Sequence, residues 1–260
     1  MNCKICSNPC NPIGSATVIE KYTVAYYACP NCGFIQTEEP YWLDEAYSHA
    51  LTRGDVGGVR RQQALATITS QLLHFCLPSE HAASLDYGGG HGLFVRLMRD
   101  IGYAFEWQDR YAENIYARGF EQSRTSGYAL LTTFELFEHL ADPLTEIEQM
   151  LALSDTILFT TELVADIRPN LQEWWYYGLE HGQHIAIYSR QTLAYIAQKY
   201  GLFLHSNGSN IHMLTRRTVS GRRFRWLTRY KIAFALSLLS RRKSLIISDF
   251  EQLTGQRLQQ

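Results

Sequence analysis

The sequence predicts an α/β protein in which a doubly wound sheet, covered by helices on both faces, follows a small N-terminal module. From Ser84 onward, short apolar strand patterns alternate with helical patterns, as in "ASLDY" followed by "LFVRLMRDIG". Before that region, two C-x-x-C pairs enclose "TVIEKYTVAYYAC", whose alternation and β-branched and aromatic content are typical of a short hairpin. The 260 residues are enough for one large α/β domain with a small appendage.

The segment after Pro40 predicts helix, loop and helix, because glycines separate its two halves. The second half has apolar residues at helical spacing, and the glycines before it are Gly54, Gly57 and Gly58. The predicted domains are therefore a module in residues 1–40, the main domain in 41–217 and a basic helical extension in 218–260.

The β/α region predicts its elements in a regular order. The helix after "ASLDY" stops at Gly102, Asp142 and Ser189 cap two later helices, and Pro143 stands at a first helical position. The remaining strands are "AFEWQD", a short "GFE", "YALLTTFELF", "TILFTTELV" and a final pair, "LFLHSN" and "NIHMLTRR". Together they predict a Rossmann-like, doubly wound sheet of seven strands.

The cysteine spacing predicts a metal site. Each C-x-x-C pair places two thiolates on one tight turn, and two such turns can close a tetrahedral zinc site with the ligands Cys3, Cys6, Cys29 and Cys32. A redox pair of the thioredoxin kind is the alternative, but it needs only one C-x-x-C within a βαβ pattern, and neither pair has that context. We therefore predict a small structural zinc ribbon.

The segment "LDYGGGHGL" predicts a loop whose backbone approaches a ligand. A P-loop would require Gly-Lys-Ser/Thr, and there is no lysine here. The dinucleotide pattern G-x-G-x-x-G would require glycine where Leu93 stands. What remains is D-x-G-x-G-x-G, formed by Asp86, Gly88, Gly90 and Gly92.

This pattern resembles motif I of the class I S-adenosylmethionine (SAM) methyltransferases. The resemblance implies that the glycines let the methionyl part of SAM lie against the backbone and that Asp86 meets its ammonium group. Asp109 ends the next predicted strand, where a carboxylate can accept both ribose hydroxyls. The alternative for Asp109 is a turn residue.

A second segment, "TTFELFEHLADP", resembles the fourth-strand motif of the same family, E-x-x-E-H-x-x-D-P. The resemblance places Glu135 near the cofactor, at the carboxyl end of a central strand. Glu138 and His139 match the motif as well, and the sequence leaves open whether they act at the site or serve as cap and packing residues.

Two further segments, "YWLDEAY" and "WWYYGLEHGQHIAIYS", resemble the subgroup with a zinc-ribbon head. That subgroup contains sugar C-methyltransferases and enzymes of polysaccharide biosynthesis. The sugar C-methyltransferases carry a further large C-terminal domain that this sequence does not show. The predicted acceptor is a small molecule or a glycan, including a sugar of polysaccharide biosynthesis.

Methyl transfer to a hydroxyl or an acidic carbon requires a base, and the second of these segments supplies the candidates. Histidine titrates closest to neutral pH, which favours His181 and His184, with Tyr177 and Glu180 beside them. His184 can instead be a structural hydrogen-bonding residue. The neighbouring aromatic side chains can stack on a sugar ring or cover the cofactor.

The C-terminal region is basic, with ten Lys or Arg and no acidic residue between Arg216 and Lys243. They flank "IAFALSLLS", which is too short to span a bilayer. This pattern is typical of a helical cover with solvated arginines, or of a surface for anionic substrates or lipid headgroups. Peripheral membrane contact is therefore one expectation for the extension.

The net charge of -1 gives no overall attraction to nucleic acid, although some rRNA methyltransferases also carry a four-cysteine zinc finger. An RNA methyltransferase is thus the alternative function, and a non-enzymatic zinc-ribbon binding protein is a third. The sequence has neither an apolar leader after Met1 nor a membrane-spanning stretch, which predicts a cytoplasmic location.

Overall fold

The computed structural model describes residues 1–47, 56–77, 82–165, 170–240 and 242–257. Gly54, one of the glycines that we expected to break the early helix, lies outside the described residues. The chain divides into two compact units. Unit 1 comprises Met1–Asp55, Phe134–Gln149 and Phe159–Arg216, and unit 2 comprises Val56–Thr133, Met150–Leu158 and Arg217–Gln260. The division into 1–40, 41–217 and 218–260 stays a prediction.

Unit 1 contains a four-stranded antiparallel sheet. It is formed by β1 (Asn11–Val18), β2 (Tyr22–Ala28), β3 (Ile35–Thr37) and β8 (Ala186–Ile187), in the order β1-β2-β3-β8. Val24 and Tyr26 face a core that also buries Trp42 and Tyr177. The expected hairpin is confirmed, but the sheet is completed by a strand from about 150 residues later in the chain.

The second sheet has six strands in the order β5-β4-β6-β7-β10-β9. Strand β4 pairs in parallel with β5 and β6, and β9 and β10 form the expected antiparallel pair. The strands are β4 (Ser84–Tyr87), β5 (Phe105–Gln108), β6 (Leu131–Thr133), β7 (Thr156–Thr160), β9 (Phe203–Ser206) and β10 (Ile211–Thr215). The mixed α/β fold with a largely parallel sheet is therefore observed.

Among the described residues, the sheet has six strands rather than the seven that we expected. The "GFE" segment contributes one isolated parallel bridge, between Trp107 and Glu121. The N–H of Gln122 still donates to the Trp107 carbonyl at 2.8 Å, but that of Arg124, the next that could face β5, donates to the Tyr128 hydroxyl at 3.2 Å, so the ladder ends there. Strand β6 is also shorter than predicted, since the backbone of Glu135 turns to φ 55° two residues after Thr133.

The helices follow the predicted order. Ser189 forms a capping box with Thr192, and Asp142 accepts from the Thr145 N–H and hydroxyl, so both predicted caps are confirmed. The helices are α1 (Leu43–Ala46), α2 (Gly58–Phe75), α3 (Leu93–Asp100), α4 (Pro143–Leu153), α5 (Arg190–Lys199), α6 (Gly221–Leu227), α7 (Tyr230–Ser237) and α8 (Ile246–Thr254). None of the described helices is both long enough and apolar enough to cross a bilayer.

A buried ion pair holds α8 within unit 2. Asp249 is 3% exposed and accepts from Arg99 at 2.5 and 2.8 Å and from Arg96 at 2.8 Å. Burial alone would raise the pKa of Asp249, but the hydrogen bonds from Arg99 and Arg96 outweigh it and leave the pKa below its usual value. The carboxylate is therefore ionised near neutral pH.

Replacing Asp249 with asparagine is expected to lower the free energy of unfolding by about 3 kcal/mol, because Arg99 is then buried without a counter-charge. Urea denaturation of the variant measures this loss. Asp100→Asn is the matched control, since Asp100 pairs with Arg96 at the surface and such pairs contribute about 1 kcal/mol or less. Equal losses of unfolding free energy in the two variants would mean that the buried ion pair stabilises the fold no more than the surface pair does.

Candidate functional site

The glycine-rich loop lies between β4 and α3 in unit 2. Gly88, Gly90 and Gly92 have φ values of 71°, 53° and 82°, in the left-handed region that favours glycine. A Cβ on Gly92 would lie 2.7 Å from Asn114 Oδ1, so that position has no room for a side chain. A Cβ on Gly90 would meet no described atom within 4 Å. The loop thus presents bare backbone with open space beside Gly90.

Asp109 organises this loop. Its Oδ2 accepts the Gly90 N–H at 2.9 Å, and its Oδ1 accepts the N–H groups of Tyr111 and Ala112 at 2.8 Å. The indole of Trp107 donates to the Gly90 carbonyl at 2.8 Å. The carboxylate that we expected at the ribose is therefore joined directly to the glycine loop. A carboxylate has about four lone-pair sites, so three backbone donors still leave room for one ligand hydroxyl.

Asp86 lies beneath the loop at the end of β4. It is 3% exposed, and its Oδ1 accepts the Thr132 hydroxyl at 2.7 Å. Burial raises the pKa of Asp86 to about 7, because ionisation in an apolar environment is costly. A ligand that brings a positive charge to Asp86 would favour the ionised form. The structure thus brings Asp86, Asp109 and the glycines together in one unit.

Glu135, the last of the six expected cofactor residues, belongs to unit 1. Its left-handed backbone, with φ 55°, is unusual for a residue other than glycine and is found most often at functional sites. The conformation is held by Thr160, whose hydroxyl oxygen accepts the Glu135 N–H at 2.8 Å. The same hydroxyl donates to the Glu135 carboxylate at 2.7 Å.

A cluster of three titratable side chains lies in unit 1. Glu138, His139 and His184 each offer one ligating atom, and these atoms lie within 4.8 Å of one another. Glu138 is 1% exposed, and its Oε2 has no hydrogen-bond partner among the described residues. The sequence left Glu138 between a capping and a functional role. Its burial excludes the role of a surface cap.

Both imidazoles of the cluster have a backbone carbonyl beside their Nδ1 atoms. His184 Nδ1 donates to the Tyr176 carbonyl at 2.6 Å, and His139 Nδ1 lies 3.2 Å from the Gln183 carbonyl. Because a carbonyl only accepts, the proton of the neutral His184 ring is on Nδ1 and its lone pair is on Nε2. The Nδ1 atom of His139 also lies 3.1 Å from the Tyr47 hydroxyl, which can donate or accept. Burial lowers the pKa of His184 to about 3 and that of His139 to about 4. Both rings are therefore neutral near pH 7.

The pKa of Glu138 is shifted in the opposite direction from the pKa values of the two histidines. Burial, and secondarily the charge of Glu135, raises the pKa of Glu138 to about 8. Hydrogen bonds from Tyr176 and Thr161 partly offset that rise. A carboxyl group with a pKa near the working pH is suited to general acid–base catalysis. The sequence motif contains Glu138, but the spacing of the motif residues does not show that this carboxyl group is buried.

The other expected catalytic residues lie elsewhere in unit 1. Nδ1 of His181 accepts the Gln183 N–H at 3.2 Å, so the lone pair of this neutral ring is already engaged. Tyr177 is fully buried and packs edge-on against Tyr26, and Glu180 is exposed. The catalytic roles of His181, Tyr177 and Glu180 stay predictions.

The four cysteines expected to bind zinc converge in unit 1. The Sγ atoms of Cys3 and Cys32 are 3.6 Å apart, those of Cys6 and Cys29 are 3.4 Å apart, and all four sulfurs lie within 4.8 Å of one another. A tetrahedral site with Zn–S bonds of about 2.3 Å requires S···S separations of about 3.8 Å. All four are free thiols. Their placement fits a zinc ion.

A family model described as a methyltransferase domain matches residues 59–207, more than half of the chain. The chain belongs to this family. The match includes the whole glycine loop, Asp109 and the Glu138 cluster. It confirms the prediction that the chain is an enzyme of the class I SAM-dependent methyltransferases. A search of curated proteins found no match.

Solved structures with a similar fold are methyltransferases of low sequence identity. Mitomycin 7-O-methyltransferase is 13% identical with a TM-score of 0.49, and the match covers 68% of this chain and 60% of that one. The magnesium protoporphyrin IX methyltransferase of Synechocystis PCC 6803, solved with bound SAM, is 12% identical with a TM-score of 0.44, covering 69% and 93%. This chain thus spans less than two thirds of the length of the mitomycin enzyme.

Proposed function

We propose that this methyltransferase transfers the methyl group of SAM to a small-molecule or glycan acceptor. The observation that carries the proposal is the glycine loop with Asp109 bound to the Gly90 N–H. The loop offers backbone and open space rather than a cluster of cations, which suits a cofactor without a pyrophosphate. In this proposal Asp86 interacts with the SAM ammonium group and Asp109 binds the cofactor beside the glycine loop. The placement of Glu135 near the cofactor stays a prediction.

The transfer is an in-line displacement, in which an acceptor lone pair forms the C–O bond while the C–S bond of the sulfonium breaks. The electron pair of that bond returns to sulfur, which leaves a neutral thioether. The proton of an acceptor hydroxyl must go to a protein group. We assign that proton to the Glu138 carboxylate, with the His139 ring and the Nε2 lone pair of His184 beside it. Of the predicted bases, His184 fits better than His181.

The pH dependence tests this assignment. We expect kcat/KM to rise with pH and to level off above about 8, because Glu138 accepts a proton only when ionised. Glu138→Gln is expected to lower kcat/KM by about 10²–10⁴-fold and to remove this limb of the profile. Glu148→Gln, a surface variant, is the control. If kcat/KM of the Glu138→Gln variant still rose with pH as in the wild-type protein, the base would be another residue.

The proposal includes a structural zinc ion bound by Cys3, Cys6, Cys29 and Cys32. The sulfur of Cys3 accepts a hydrogen bond from the Cys32 thiol, which lowers the pKa of Cys3 to about 5 and raises that of Cys32. The cluster therefore does not ionise evenly without a cation. A divalent ion would stabilise all four thiolates at once.

Two experiments test the function. Calorimetric titration measures the binding of SAM and of its demethylated product. Mass spectrometry then examines reactions with a panel of nucleotide sugars and phenols. We expect micromolar binding and a mass increase of one methyl group in a panel member. Absence of SAM binding would refute the enzyme and favour the non-enzymatic alternative. Methylation confined to an RNA substrate would favour the RNA methyltransferase. The cytoplasmic location stays a prediction.

A further inference from the structure

Helices α6 and α7 of unit 2 present a surface that the methyl-transfer proposal does not use. We define the arginine–aromatic surface as Arg222, Arg225, Trp226, Arg229, Tyr230, Phe234 and Leu238. The three arginines are exposed, and together with Trp226 they line one surface cavity. Buried Phe224 and Leu227 hold α6 on the unit from its opposite face. The arginines are therefore presented on a fixed helix.

The apolar part of this surface is continuous along α7. Tyr230 and Phe234 are 46% and 47% exposed, with ring centroids 5.9 Å apart, and Leu238 is 71% exposed. These residues are spaced four apart, which places them on one face of a helix. Ala233, on the other face, is completely buried. An exposed row of large apolar side chains is uncommon on a protein surface without a partner.

Charge decides which partner fits. No acidic residue occurs between Arg216 and Lys243, so the surface is complementary to a negatively charged one. Aromatic and leucine side chains flanked by arginines are the features that place a helix at the interface of an anionic bilayer. Trp226 and Tyr230 are also the side chains that prefer the headgroup level. A single-stranded RNA would use the arginines and the aromatic rings, but it would leave the exposed aliphatic side chain of Leu238 in water.

We propose that the arginine–aromatic surface binds the headgroup region of anionic lipid bilayers. The arginine-lined cavity of α6 would receive lipid phosphates, and the apolar face of α7 would enter the boundary between headgroups and acyl chains. Both helices lie along that interface in this proposal, and neither spans the bilayer. Binding would not depend on methyl transfer, so it can be tested separately from the proposed enzyme function.

Vesicle flotation with the full chain tests the proposal. We expect the protein to float with vesicles of 70% phosphatidylcholine and 30% phosphatidylglycerol, to stay unbound with phosphatidylcholine alone, and to be released by high salt. The apolar variant Trp226→Ser/Phe234→Ser/Leu238→Ser and the charge variant Arg222→Glu/Arg225→Glu/Arg229→Glu should each weaken binding at least 10-fold. Circular dichroism and SAM titration check that the variants remain folded.

Matched control variants come from exposed residues elsewhere in the chain. Phe203 is 53% exposed and Val56 is 94% exposed, so Phe203→Ser/Val56→Ser removes apolar surface without touching α6 or α7. Lys199→Glu is the control for charge. Failure to bind anionic vesicles, or equal losses in test and control variants, would overturn the proposal. Binding of single-stranded RNA that the charge variant abolishes and the apolar variant leaves intact, without vesicle binding, would assign the surface to RNA instead.

Discussion

Replacing Cys32 with serine is expected to remove one bound zinc ion per chain and to unfold the N-terminal part of unit 1. The apparent free energy of a structural zinc site is about 10–16 kcal/mol, which is as large as the whole stability of many domains. Loss of the ion releases the two metal-binding turns on either side of β1 and β2. The buried residues of these strands, among them Val18, Val24 and Tyr26, can offset only part of that loss. Elemental analysis for zinc and thermal unfolding followed by circular dichroism measure the two effects.

Loss of the zinc ion is expected to disturb the cluster of Glu138, His139 and His184 as well. The Cys32 carbonyl accepts the Thr192 hydroxyl at 2.8 Å and the Ser189 hydroxyl at 3.2 Å, so the metal-binding turn is joined to the start of α5. Strand β3 pairs with β8, which begins two residues after His184. Methyl transfer should therefore fall together with the zinc content.

Cys10→Ser is the control for this experiment. Cys10 is buried as well, but its sulfur does not belong to the group of four that lie within 4.8 Å of one another. This variant should keep one zinc ion per chain and its melting temperature. A Cys32 variant with full zinc content and an unchanged melting temperature would contradict the zinc assignment.

Replacing Asp86 with asparagine is expected to stabilise the free protein at pH 8 while abolishing SAM binding. The pKa of Asp86 in the folded state, about 7, lies above its usual value of 3.8. The folded protein therefore binds an extra proton between these values, and its stability falls as pH rises through that window. Asparagine carries no charge and keeps an acceptor for the Thr132 hydroxyl. The gain at pH 8 should approach about 4 kcal/mol and disappear below pH 4.

The same substitution is expected to weaken cofactor binding. The SAM ammonium group would lose its counter-charge, so the affinity should fall by at least about 100-fold, as for a charged hydrogen bond of about 3 kcal/mol. SAM binding by the wild-type protein should also release a proton near pH 7. Urea denaturation at two pH values and calorimetry in two buffers measure these quantities. Asp44→Asn, a surface variant, should change neither.

Two outcomes would contradict the role given to Asp86. The first is an unchanged SAM affinity in the asparagine variant, which would leave Asp86 a purely structural residue. The second is a loss of stability at pH 8, which would mean that the ionised carboxylate is stabilised in the free protein. The pair of measurements separates cofactor binding from folding because the expected effects have opposite signs.

Local features of this protein were predictable from the sequence. The two C-x-x-C turns, the glycine loop and the caps of α4 and α5 depend on residues within a few positions of one another, and short-range spacing contains that information. The same holds for Asp109, which the β/α alternation placed at the end of a strand. The structure adds that this carboxylate also binds the loop backbone, through the N–H of Gly90.

Only the tertiary structure decided what lies around each titratable group. Glu138 and His184 are far apart in the chain, and their segments are joined by the Ile185 N–H, which donates to the Glu138 carbonyl at 2.9 Å. Asp249 meets Arg99 across 150 positions. Desolvation and ion pairing depend on the atoms packed around a side chain, which no local pattern specifies. The sequence alone therefore determined the glycine loop and the four thiols, whereas folding decided which carboxyl group is buried and has a raised pKa.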